Sequence, residues 1–295
     1  MKETKIMTTS FYGQHLAKAV LYFENLLHPR IFYVFLYIVW PFIRHSSKYI
    51  STAYGTIQMQ FNLLDAAERQ GFLRTYDQPL VHLINRFCKP GQTFVDIGSN
   101  IGIIAAEAAL KAGKTGCVIL VEPNPLLYSR LQSLVNNNPL QNMCLIPDAV
   151  GINKSTLPFY VYDSSLTSSH TFSSLLPNKN RQSHIKTIDV NVVTLADIFA
   201  QIPHSNKVNF LKIDAEGLDE SIILQGIPDI LNRNVDIIVL ETSEEQPLEL
   251  LQAYRTYGYK AYGIDANTFE LRPWGSIPSA NRNLVLISEA LSVSI

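Results

Sequence analysis

Three short runs carry the residue types that chemistry at a binding cleft needs: "FVDIGSNIG" at 94–102, "VILVEPNP" at 118–125 and "FLKIDAEG" at 210–217. In each, an apolar stretch leads into a carboxylate, Asp96, Glu122 or Asp214. A buried strand ending on an acid places that acid beyond its carboxyl end, where open α/β sheets bind ligands. Gly98 would let the backbone approach a ligand, and Gly102 would let the following helix pack against the strand. Glu122 lies 26 residues after Asp96. That is close to the spacing between a nucleotide's glycine loop and the acid that accepts hydrogen bonds from its ribose hydroxyls.

Asp96 discriminates between ligands. A pyrophosphate is doubly anionic and would be repelled by a carboxylate at the loop entrance. S-adenosylmethionine presents an ammonium and a sulfonium there, and a carboxylate suits both. The missing Gly-x-Gly pair also argues against an NAD-dependent oxidoreductase. The plain alternative, a tight strand-helix turn with a capping aspartate, loses ground once Glu122 is added.

The third run holds Lys212, Asp214 and Glu216, which alternation places on one side of an extended chain. A hydroxyl is a poor nucleophile until a base accepts its proton. Adjacent carboxylates raise one another's pKa, and Lys212 would oppose that shift. Asp214 is the expected substrate-facing base or orienter, with Glu216 beside it; alternatively Glu216 and Gly217 only shape a turn and cap a helix. Asp214 and Glu241 are too few oxygen ligands to expect a metal. His170 is a further candidate base, in a polar stretch that also holds His184. Tyr160 and Tyr162 could stack on a sugar ring or simply pack a hairpin.

These residues need a frame. "QPLVHLINRF" (78–87) has helical spacing and stops at "KPG"; strand 93–97, helix 103–113, strand 117–123, helix 125–138 and a strand-like run 144–151 follow. That rhythm predicts a parallel sheet with helices on both faces. "LPFYVY" (157–162) and "IDVNVVTL" (188–195) flank a polar stretch and predict an inserted hairpin over about 152–190. The rhythm resumes with helix 194–201, strand 208–214, helix 219–232, strand 235–241 and helix 247–257. Strands near 259–264 and 283–288 are expected to close the sheet edge as an antiparallel hairpin.

At 295 residues, with 47% hydrophobic and 17% charged residues, the chain can bury a substantial core. A net charge of -1 supplies no basic field, so no nucleic-acid partner is expected. Residues 1–50 carry six Lys/Arg against two Glu, a local +4 that leaves -5 for the remainder. The apolar, aromatic run "IFYVFLYIVWPFI" (31–43) is thirteen residues, short of the roughly 20 a membrane-spanning helix needs. It is expected to be a packed helix, with peripheral membrane contact or a homodimer through residues 11–50 as the sharper readings. Cys88, Cys117 and Cys144 form no CxxC pair and read as buried free thiols, which with no evident secretory signal implies a cytoplasmic setting.

Taken together, "FVDIGSNIG … VILVEPNP … DAVG … FLKIDAEGLDESIILQG" resembles the FkbM-type methyltransferase family. The resemblance runs from about Gly55 to Ile287, and its most specific part is "KIDAEG" followed by "LQG". Asp219 stands where the family usually has glutamate, and residues 1–50 have no counterpart in its core. The resemblance implies the class I methyltransferase (Rossmann-like) α/β fold: a seven-stranded, mostly parallel sheet whose last strand is antiparallel, with helices on both faces. The expected organisation is an N-terminal apolar helical extension, 1–54, and a methyltransferase domain, 55–295, carrying the β-rich insertion. It further implies S-adenosylmethionine as cofactor. Asp96, Gly98, Asn100 and Gly102 would cradle its methionine part, and Glu122 its ribose, with Pro123 and Asn124 beside. Asp148 and Ala149 would border the adenine. The implied acceptor is a hydroxyl on a sugar, glycan or secondary metabolite. A docking module with a vestigial pocket is the non-enzymatic alternative.

Overall fold

The computed structural model describes residues 50–62, 65–162, 175, 185–203, 207–242, 247–276 and 283–291. It divides into two compact units, residues 1–76 with 164–169 and residues 77–163 with 170–295. The apolar run at 31–43 and most of the polar stretch at 163–184, including His170 and His184, lie outside the described residues.

In the first unit, β1 (Ile50–Tyr54) and β2 (Ile57–Phe61) form an antiparallel hairpin. Alternation buries Ile57, Met59 and Phe61 on one face. Helix α1 (Ala66–Phe72) starts at Asp65, whose carboxylate accepts the Glu68 N–H at 2.9 Å. Phe72 meets Phe61 edge-on at 6.0 Å. The hairpin turn lies at residues 55 and 56, and the compact units divide after Tyr76.

The second unit is built on a sheet containing β3 (Thr93–Ile97), β4 (Cys117–Val121), β5 (Met143–Ile146), β9 (Phe210–Ile213), β10 (Ile237–Glu241), β11 (Tyr259–Ile264), β12 (Leu271–Pro273) and β13 (Asn283–Ser288). Its order is β12-β11-β13-β10-β9-β3-β4-β5. Strands β5, β4, β3, β9 and β10 pair in parallel, and β13 runs antiparallel between β10 and β11. These are the seven strands the class I fold requires, and the short β12 adds an eighth at the edge. Every residue of β3 and β9 is buried, as in strands covered on both faces. Phe94 and Phe210, paired across them, stack at 4.7 Å.

Helices α2 (Gln78–Phe87), α3 (Ile103–Ala112), α4 (Pro125–Asn136), α5 (Leu195–Ala200), α6 (Asp219–Gln225), α7 (Ile227–Asn232) and α8 (Leu248–Thr256) fill the connections. Two expectations are corrected. The run at 144–151 is β5 and then β6 (Ala149–Val150), because Pro147 between them has no N–H to pair. The single helix over 219–232 is α6 and α7 meeting at Gly226, because Pro228 cannot donate back to Leu224. The expected closing antiparallel pair is present: β11 and β13 pair antiparallel at this end of the sheet, with β13 between β10 and β11 and the short β12 outside β11.

A smaller sheet, β6-β8-β7, joins β6 to the hairpin of β7 (Ser155–Tyr162) and β8 (Ile185–Val193). Phe159, Val161, Val190, Val192 and Ala149 form its own apolar cluster. This is the expected β-rich insertion. The cysteines are free, but only Cys88 is buried; Cys117 is half-buried and Cys144 exposed, which corrects the reading of all three as buried.

Candidate functional site

Adjacent parallel strands in register set Asp96 of β3 directly opposite Lys212 of β9. The Asp96 side chain is 0% exposed, so its charge needs a partner. Lys212 supplies one: its Nζ lies 3.3 Å from Asp96 Oδ1 and 3.3 Å from Asp214 Oδ2. The same Nζ donates to Gly98 O at 3.0 Å and Ile97 O at 3.4 Å. The contact with Asp96 is one of charges without hydrogen-bond alignment, and among the described residues neither Asp96 oxygen has an aligned hydrogen-bond donor. Burial pushes the Asp96 carboxyl up, and Lys212 pulls it back.

The glycine loop is fixed by neighbouring strands. Gly98 and Ser99 N–H groups both donate to Val121 O, at 2.9 and 3.1 Å. Ser99, buried, donates through Oγ to Asp96 O at 2.7 Å and accepts from Val121 N at 3.1 Å, tying β3 to β4. Gly98 has φ +73°, and a Cβ there would lie 1.9 Å from Asp214 O. The close approach it permits is therefore to the β9 turn of this chain, not only to a ligand as its position suggested. Gly102, at φ +81°, does let the helices pack: a Cβ there would meet Leu134 at 2.6 Å and Leu131 at 3.3 Å, both on α4.

Glu122, 8% exposed, accepts the Asn100 N–H at 2.8 Å on one oxygen and the Asn124 N–H at 2.9 Å on the other. Burial pushes its carboxyl up to about 7, against the pull of those two donors. Each carboxylate oxygen keeps capacity for a further donor. Asn100 holds its N–H toward Glu122 from a left-handed backbone, φ 50°. The Asn124 side chain caps α4, accepting from Leu126 N at 3.0 Å, and Pro123 between them is half-buried. Asp148 is half-buried between β5 and β6; the Ala149 methyl sits in the small sheet's core, which leaves only its backbone for a ligand.

On the far side of Lys212, β9 ends at Ile213, so Asp214 and Glu216 lie in the turn that follows. Asp219 shapes that turn by accepting from Ala215 N at 3.0 Å and Gly217 N at 3.1 Å. Glu216 is thereby spared the capping role, and stands exposed at φ 51°. Partial desolvation, followed by the Asp214, Glu241 and Asp219 carboxylates, pushes its carboxyl up to about 7.

Sequence reasoning missed Asp77, the N-cap of α2, which accepts from Leu80 N at 3.3 Å with φ 35°. Burial raises its carboxyl, the Leu80 N–H and Lys212 lower it, and Asp214 and Glu241 raise it, so it belongs to the same cluster. An aspartate before "QP" signals a helix start, and nothing local signals its distant neighbours. Among the described residues, no group of three or more metal-ligand side chains gathers.

At the strand ends, β3 thus carries a wholly buried carboxylate with no aligned donor among the described residues and, one strand away, β4 is followed by a second carboxylate with room for paired hydroxyls. The amino group and ribose of S-adenosylmethionine fit those two needs. By overall shape, the chain is similar to Aeropyrum pernix fibrillarin with bound S-adenosyl-L-methionine (12% identity, TM-score 0.39, 71% of this chain and 72% of that one). It is also similar to M. jannaschii TYW2 in complex with AdoMet (15% identity, TM-score 0.40, 82% and 86%). By sequence it is 24% identical to Methyltransferase 1 of Beauveria bassiana over 169 residues, covering 53% of this chain and 67% of that protein. No helix among the described residues is long and apolar enough to cross a membrane. The model of the methyltransferase FkbM domain matches residues 96–261, more than half of the chain, and the chain belongs to that family of S-adenosylmethionine-dependent methyltransferases.

Proposed function

We propose that the chain methylates a hydroxyl oxygen on a sugar, a glycan or a secondary metabolite, with Glu216 accepting the proton and Asp214 orienting the hydroxyl. The observation behind this reading is the division of labour in the β9 turn. Asp219 holds the backbone, Lys212 holds Asp214, and Glu216 keeps a carboxyl near neutrality with no hydrogen bond to a described residue. A base poised near the working pH is the efficient one for taking a proton in a transition state. Asp96, with Gly98, Asn100 and Gly102, would hold the methionine part of the cofactor; Glu122, Pro123 and Asn124 would hold the ribose, and Asp148 with the Ala149 backbone would border the adenine. The bound cofactor supplies a methyl group on a sulfonium, a leaving group that needs no protonation. The protein's own task is then alignment and one proton.

Acceptor charge follows from the same cluster. Asp77 and Glu216 each feel the charges of Asp214, Glu241 and Lys212, a net negative environment that disfavours an anionic acceptor and a nucleic-acid backbone. His170, in the polar stretch of the sequence, stays a second candidate base; it lies outside the described residues. A cytoplasmic setting, and contact of residues 11–50 with a membrane surface or a second copy, complete the proposal.

The test is incubation with methyl-deuterated S-adenosylmethionine and a panel of neutral saccharides, glycosides, amines and RNA, read by mass spectrometry. The expected product is a labelled methyl ether on a neutral acceptor, lost in Glu216→Gln. Label on nitrogen or in RNA overturns the oxygen assignment.

A further inference from the structure

We propose that Lys212 is a positioning residue that couples the cofactor's carboxylate, Asp96, to the acceptor's carboxylate, Asp214, by sharing one ammonium between them. This rests on the reading of Asp214 given above. The geometry is symmetrical: Nζ stands 3.3 Å from each carboxylate, one wholly buried and the other with a side chain 35% exposed. An ammonium has three donors, and here at least four oxygens compete for them, since Gly98 O and Ile97 O are also within reach. Asp96 comes out of that competition without an aligned hydrogen bond on either oxygen. The Lys212 side chain is itself only 10% exposed, so water does little to relieve the competition.

A cationic amino group arriving at Asp96 supplies the donors that Asp96 lacks and lessens its hold on Lys212. The ammonium then commits to Asp214, so that cofactor binding fixes the carboxylate facing the acceptor. Linkage runs both ways. Removing the Asp214 charge turns more of the Lys212 charge toward Asp96, where it competes with the incoming amino group. Asp214 therefore acts on cofactor affinity through Lys212, and the effect requires the lysine charge. The backbone adds a mechanical link, because Gly98 carries both a Lys212 acceptor and the close approach to Asp214 O.

The experiment is calorimetric titration of the full chain with S-adenosylhomocysteine, which keeps the amino group. Asp214→Asn is expected to weaken binding ~10-fold in the wild-type background and to change it by less than about twofold in a Lys212→Met background. Lys212→Arg, which keeps the charge, is expected to restore sensitivity to Asp214→Asn. An equal loss in both backgrounds overturns the coupling, because it makes Asp214 a direct ligand. Unchanged affinity in Asp214→Asn alone also overturns it, and needs no lysine variant that might fail to fold. Absence of binding to the wild-type chain overturns instead the reading of the cleft itself.

Discussion

The two ends of this cleft treat their acids differently. At the β3–β4 end, Glu122 is buried and both its oxygens are held by backbone N–H groups, while Ser99 stitches the two strands together. At the β9 end, Glu216 is exposed, accepts from no backbone donor among the described residues and feels the charges of other carboxylates. Both carboxyls are pushed up to about 7, but for different balances of cause. In Glu122 burial works against hydrogen bonds that favour the charge; in Glu216 burial and like charges work together. The first arrangement is a preformed socket, suited to one unchanging ligand. The second is an unsatisfied site, suited to receiving a proton.

The largest effect should come from the place where the two ends touch. Gly98→Ala puts a methyl 1.9 Å from Asp214 O at a left-handed backbone position. It is expected to cost about 3 kcal/mol or more in denaturant unfolding and to abolish S-adenosylhomocysteine binding. A stable, binding-competent variant would show that the two turns can move apart.

Next come variants that separate the ends. Glu216→Gln is expected to lower kcat for methyl transfer by ~100-fold while S-adenosylhomocysteine affinity stays within about twofold. Equal losses in both would erase the distinction between socket and proton site. Glu122→Gln is expected to act the other way, weakening cofactor binding by ~10-fold, because an amide cannot accept from both Asn100 and Asn124 N–H groups.

The smallest effect is on stability. A carboxyl whose folded pKa lies above its unfolded value keeps a proton that the unfolded chain has released. Its contribution therefore falls as pH rises from 4.5 to about 7 and levels off above. Glu216→Gln should then melt at a higher temperature than the wild-type chain at about pH 8, with the gap closing by about pH 4. A gap that widens toward acid pH would mean that Glu216 is stabilised as a carboxylate.

Much of this was written locally in the chain. Asp96, Glu122 and Asp214 each follow an apolar run, so strand alternation and the strand-end rule were enough to bring them to one edge. Gly102 could be read because a helix must pack just after it. What could not be read depended on partners far along the chain. Gly98 looked like a ligand contact because its real neighbour, Asp214 O, is 116 residues away in sequence. Asp77 reads as a helix cap, which it is, but its place beside Asp214 and Glu241 depends on tertiary packing. The insertion of β13 between β10 and β11 has no local signature either; only the burial of its central residues from both sides requires it. The break in the strand-like run at Pro147 and the helix break at Pro228 were legible in principle, since proline removes a donor wherever it falls.

The most direct test of the central claim, that a donor-starved buried carboxylate holds the cofactor while a separate carboxyl handles the proton, is a calorimetric titration with S-adenosylhomocysteine. Wild type, Asp96→Ala and Glu216→Gln would be compared side by side. The account predicts binding by wild type, a loss of ~100-fold in Asp96→Ala and near-wild-type affinity in Glu216→Gln. Unchanged affinity in Asp96→Ala, or its loss in Glu216→Gln, would contradict it.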